Sequence, residues 1–223
     1  MSRHSPSDTV GFWRANGLSL VLLVLLAAAL VAQALSGWQV HNAERLEEGG
    51  AAMALLDYLG SGHFISATFE NWESEFLQMA MYVLLTVVLR QRGSAESRPL
   101  DPAKEDPRIE AGPTPWPARA GGLLRTLYGH SLAIALGLLF ALSFALHAWG
   151  SWREALAERA LQGEPAITLG AHMGSAQFWF QSSQNWQSEF LAVLTIVVLS
   201  IWLRQKDSPQ SKPVDAPHRQ TGT

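Results

Sequence analysis

Cysteine is absent from all 223 residues. Disulfides, thiolate metal sites and cysteine nucleophiles are therefore excluded, and the redox character of the compartment leaves no trace in the sequence. Charge is scarce as well: 16% of residues are charged and the net charge is −3. No basic stripe with interleaved aromatics occurs, so nucleic acid is not an expected partner. A glycine-rich phosphate loop, a serine elbow and a helical zincin motif are all missing. The chain therefore leans away from enzymes, and no catalytic residue, cofactor or metal ion is expected.

What the chain does have is apolar residues gathered into four blocks. Leu18 to Leu35 carries no charge and only Ser19 and Gln33 as polar residues; Leu132 to Trp149 carries only Ser143 and His147. Each, as helix with its flanks, is long enough for a hydrocarbon core of about 30 Å. Two shorter blocks, Phe76 to Leu89 and Phe190 to Leu203, would need the polar residues before them to complete a span. A leading run after Arg3 and Arg14 also suits a secretory signal, with Ala32-Gln33-Ala34 as a cleavage site. A retained helix is the better reading, because the run exceeds a signal core and a similar element recurs uncleaved in mid-chain.

An internal repeat organises these blocks. A single gapless offset of 114 residues aligns Trp38 with Trp152, Glu44-Arg45 with Glu158-Arg159, Gly60-Ser61 with Gly174-Ser175 and Leu89-Arg90-Gln91 with Leu203-Arg204-Gln205. The same offset superposes the phrase Asn71-Trp72-Glu73-Ser74-Glu75-Phe76-Leu77 on Asn185-Trp186-Gln187-Ser188-Glu189-Phe190-Leu191. Agreement in loops and flanks, and not only in apolar segments, points to duplication. The expected fold is an all-α integral membrane protein with four transmembrane helices in two parallel helix-loop-helix repeats. Two crossings per unit make both units enter from the same side.

Residues 1–16 form a leader, 17–92 the first unit, 93–122 a Pro-rich charged linker, 123–206 the second unit and 207–223 a tail. Linker and tail are expected to be extended or disordered. Of the 16 Lys and Arg residues, thirteen lie in leader, linker, tail and their borders, and only Arg45, Arg153 and Arg159 lie in the inter-helix loops. By the positive-inside rule both termini and the linker are cytoplasmic. In each inter-helix loop two short surface helices are expected.

In the second helix of unit one, Asn71, Glu75, Gln78, Tyr82 and Thr86 fall on one helical face. The equivalent positions in unit two read Asn185, Glu189, Ala192, Ile196 and Ser200, so the stripe is mostly erased there. Glu75 and Glu189 would lie a few residues below the outer boundary, where a carboxylate is costly unless it faces protein or water. Gln33 and His147, aligned with each other by the repeat, would sit near the same depth. Gln33 with Glu75 and His147 with Glu189 are the expected contacts of an outer polar network. The competing reading is structural: Asn71 and Asn185 as N-caps, with Glu in the first turn against the helix dipole. A metal site from His147, Glu189 and His172 is chemically conceivable, but no His-x-x-x-His or Glu-x-x-His spacing supports it.

At the paired phrase, together with Ser61-Gly62-His63-Phe64 and Leu89-Arg90-Gln91-Arg92-Gly93-Ser94, the chain resembles a family of small bacterial membrane proteins, domain of unknown function 6766. The resemblance covers nearly the whole chain. It implies a multi-pass protein of the bacterial inner membrane and supplies no activity. The expected role is a non-enzymatic structural or accessory membrane component, partnered by the lipid bilayer and by a homo-oligomer or another membrane protein. The rivals are a small channel or carrier using the polar stripe below Glu75, and a membrane enzyme or metal protein with an outer-face His/Glu site.

Overall fold

The computed structural model describes residues 11–105, 109 and 111–222. Arg3, Pro107 and Arg108 of the leader and linker lie outside them. The described residues are helical and contain no strand. Helices run in the order α1 (Phe12–Glu47), α2 (Leu55–Leu59), α3 (Gly62–Val88), α4 (Trp116–Ala120), α5 (Gly122–Gly129), α6 (Ser131–Leu161), α7 (Leu169–Met173) and α8 (Ala176–Leu199).

Among the described residues two helices, not the expected four, are long and apolar enough to cross a membrane: α1 with 36 residues and α6 with 31. Helices α3 and α8 reach 27 and 24 residues, but their first halves carry the polar phrase, and this dilutes their hydropathy. Their length is itself a correction. The phrase does not open these helices; it lies inside them. The helices start about two and a half turns earlier, where Ser61 and Ser175 are the N-caps, accepting from the backbone N–H of Phe64 at 3.2 Å and of Phe178 at 3.3 Å. Asn71 and Asn185 are consequently mid-helix residues, and their side-chain amides donate back to the carbonyls of Ala67 and Gln181 at 2.8 and 3.1 Å. The N-cap reading of these asparagines is overturned.

The inter-helix loops also differ from expectation. Each holds one short helix, α2 or α7, because α1 and α6 continue to Glu47 and Leu161 and absorb the first half of the polar segment. Matching tryptophans pin the loops back onto the long helices. Trp38 Nε1 donates to Met53 O and Trp152 Nε1 to Ile167 O, both at 2.8 Å.

Helices α3 and α6 form the central pair, and glycine sets their separation. A Cβ on Gly62 would meet the backbone N of Glu154 at 2.5 Å, and one on Gly150 would meet the backbone N of Ser66 at 2.6 Å. The two backbones touch where neither has a side chain, the close approach that small residues permit between helices. Helix α8 packs on α3, and α1 meets the rest through α2 and α3. The interior this creates is polar. Among the described residues the buried apolar set is Tyr58, Ala80, Ala95, Ala148 and Phe178, whereas fifteen polar or charged residues are buried. Leu, Val and Ile instead cover the outside of α1, α3, α6 and α8. That distribution inverts the one usual for a water-soluble domain.

The tail and the start of the linker were expected to be extended or disordered; instead they clasp each other. Lys212 is 1% exposed, and its ammonium donates to the carbonyls of Gly93, Ile201, His218 and Gln220. Gly93, at φ 84°, turns there, and Ser94 and Ser200 hydroxyls join at 2.9 Å. A cation satisfied by four converging carbonyls replaces the core that the composition could not provide. Lys212→Met leaves those carbonyls unpaired and is expected to release the tail, so that trypsin cuts after Lys206 at least about tenfold faster than in the parent chain. An unchanged rate would mean the clasp is held elsewhere.

Candidate functional site

The buried polar core is built on one face of α3. Gly62, Ser66, Glu70 and Glu73 follow one another at helical steps of four, four and three, so they face α6 and α8 together. Glu73 and His147 of α6 are both fully buried, and His147 Nδ1 lies 2.9 Å from Glu73 Oε2. The other carboxylate oxygen, Oε1, accepts from Trp186 Nε1 of α8 at 3.1 Å. Phe178 stacks on the imidazole, with centroids 5.0 Å apart and planes at 23°. Three helices are thus joined at one carboxylate. One turn away, Glu70 accepts from the Asn185 amide. His147 Nε2, Gln181 Oε1 and Ser182 Oγ are buried with no hydrogen-bond partner among the described residues.

The residues singled out by the sequence are dispersed differently. Gln33 donates to Thr68 Oγ1 at 3.2 Å and not to Glu75, and His147 meets Glu73 and not Glu189. Glu75 is exposed and Glu189 half-buried. Gln78 is buried and donates to the backbone carbonyl of Glu189 at 3.3 Å. Tyr82 donates to Glu96 Oε2 at 2.9 Å, and Thr86 to the carbonyl of Tyr82 at 2.8 Å. Most of the stripe is therefore spent on protein hydrogen bonds. His147, Glu189 and His172 do not assemble as ligands either; His172 Nε2 is engaged by Ser151 Oγ at 2.9 Å.

A second polar cluster surrounds the loop ends of α1, α3 and α6. His41 and His63 stack with ring centroids 4.6 Å apart. Tyr58 O–H lies 3.1 Å from His63 Nδ1, and His41 Nδ1 faces Glu154 Oε1 at 3.6 Å. Burial, reinforced by the negative charges of Glu154 and Glu44, pushes the Tyr58 phenol above its ordinary value, so it stays protonated. His172 is held below the ordinary imidazole range by burial and by His147. Two clefts of about 300 Å³ each open beside this cluster, and Glu154 and Glu158 line both. Part of this cluster is visible in the sequence. His41-Asn42-Ala43-Glu44 places an imidazole and a carboxylate one helical turn apart, but their partner His63 arrives from another helix.

The fold and these sites define an all-helical protein with a polar interior and two candidate membrane-spanning helices. Residues 9–223 match the family described as Domain of unknown function (DUF6766), and the chain belongs to that family. No curated protein and no solved structure matches it.

Proposed function

We propose that this chain is a multi-pass protein of the bacterial inner membrane, in which α1, α3, α6 and α8 all cross the bilayer and the two halves are parallel, same-facing repeats. Its role in this reading is that of a non-enzymatic structural or accessory component, acting with a second copy or with another membrane protein. The observation that carries the reading is the inverted burial: polar side chains of α3, α6 and α8 turn inward, while Leu84, Leu85, Val87, Phe190, Leu191 and Leu194 of α3 and α8 are exposed. Lipid satisfies such a surface, and water does not. Helices of 27 and 24 residues exceed the roughly 20 needed for a crossing.

Equivalent hydrogen bonds support the two-unit reading. Besides the tryptophan pins and serine caps, Gln91 N–H donates to Ser97 Oγ and Gln205 N–H to Ser211 Oγ, each at 2.9 Å. All three pairs of contacts obey the 114-residue offset. The excess of Lys and Arg in the linker and tail favours a cytoplasmic location for both.

A fusion series tests the topology. Alkaline phosphatase joined near Gly49 or Gly163 is expected to be active, and GFP joined near Pro113 or after Gly222 to be fluorescent. Phosphatase activity from the Pro113 junction would overturn the arrangement.

A further inference from the structure

We propose that His41, Glu44 and His63 bind a divalent transition-metal ion, such as zinc, which clamps α1 to α3. One donor atom from each of the three residues lies within 4.8 Å of the others, so small side-chain rotations bring them onto a common ion at the usual 2.0–2.2 Å bond lengths. Two imidazoles and a carboxylate suit zinc and related first-row ions, and leave a fourth position open.

What lies behind the ligands strengthens the assignment. Metal-bound histidines characteristically give their second ring nitrogen to an oxygen that fixes tautomer and orientation. His63 has that oxygen within hydrogen-bond distance, and His41 has a carboxylate just beyond it. Tyr58 hydroxyl stands 3.1 Å from His63 Nδ1, and Glu154 carboxylate 3.6 Å from His41 Nδ1. With His63 Nδ1–H donating to the hydroxyl, the Nε2 lone pair of that ring is left for the ion. Tyr58 is 1% exposed and its hydroxyl packs against Gly37, where a side chain would displace it. The tyrosine is therefore rigidly held.

The surroundings favour a cation and admit one. The cleft beside His41 is lined by Glu44, Glu48, Glu154 and Glu158 against a single guanidinium, Arg45. Arg45 is engaged by Ala51 O, to which its Nε donates at 3.0 Å. Glu44 is exposed and His41 buried, so the site has an open side through which a hydrated ion can exchange ligands. The clamp also has mechanical sense. Two ligands belong to α1 and one to α3, and these helices otherwise touch sparsely.

The test uses the full chain, untagged, purified in micelles and stripped with a chelator, then titrated with zinc chloride by calorimetry and with cobalt by absorption. The site is expected to bind about one ion per chain, with cobalt giving the visible bands of a four-coordinate N/O environment. Glu44→Gln, on the exposed side and harmless to folding, should weaken zinc binding at least about tenfold. Tyr58→Phe keeps the packing and should weaken it about 10- to 100-fold through loss of the hydrogen bond behind His63. The proposal is overturned if the parent chain binds no zinc, or if it binds zinc as tightly after Glu44→Gln and His41→Gln as before, with both variants still folded by circular dichroism.

Discussion

Replacing His147 by Ala is expected to destabilise the protein by about 3–5 kcal/mol, because it strips a partner from a carboxylate that is fully buried. Glu73 sits where α3, α6 and α8 meet, and its two oxygens are committed to His147 and Trp186. Without the imidazole, one oxygen of Glu73 is left buried without its partner, and that costs stability. Glu73→Ala should cost a similar amount. Glu73→Gln should cost less, about 1–3 kcal/mol, since the amide oxygen still accepts from Trp186 while its N–H₂ can donate to His147. Unfolding curves in micelles give these values, and the double variant lacking both side chains gives the coupling. Coupling below about 0.5 kcal/mol would show that the pair is not acting as a unit.

Gly150→Ala should be destabilising by about 2–3 kcal/mol, the reverse of what the same change does in most helices. Alanine is ordinarily about 1 kcal/mol better than glycine inside a helix. Here the new methyl would lie 2.6 Å from the backbone N of Ser66 and 2.9 Å from Ile65 Cγ2. Backbone cannot swing aside as a side chain can, so α3 and α6 must separate. Their separation would also lengthen the His147–Glu73 contact, which lies about one turn along the same interface. Gly137→Ala and Gly17→Ala supply the control, because a Cβ at either position meets nothing within 4 Å. Both should be neutral or slightly stabilising. A Gly150→Ala protein as stable as the controls would mean that the close helix contact does not hold in solution.

The sequence pattern points to Glu75, whereas the buried carboxylate is Glu73. Glu75 recurs in the second half as Glu189, while Glu73 is replaced there by Gln187, so weighting recurrence favours the wrong carboxylate for the interior. Two residues apart on a helix, the two glutamates point roughly 200° away from each other. One must face the bundle if the other faces out. The glycine contact at Gly62 and Gly150 rotates α3 so that Glu70 and Glu73 face inward, and no periodicity in α3 alone contains that rotation. The polar stripe through Asn71, Glu75, Gln78, Tyr82 and Thr86 is a real helical face. Its members find separate partners because α8 and the linker cover only parts of it. The 114-residue offset also pairs Gln33 and Thr68, which share a hydrogen bond, with His147 and Ser182. In the second pair His147 Nε2 and Ser182 Oγ both stay unpartnered, as the imidazole is drawn to Glu73 instead.

Composition and periodicity by themselves determined the all-helical class and the two longest apolar helices, because long uncharged runs are local properties of the chain; the family was carried by a resemblance at particular motifs. Helix starts were decided by serine caps a few turns upstream of the conspicuous residues. Tertiary structure alone decided which carboxylate is buried, that Lys212 folds the tail, and that His41 and Glu44 meet His63. Each of these depends on the rotation and spacing of helices far apart in sequence, and two glycines without side chains set those for the central pair.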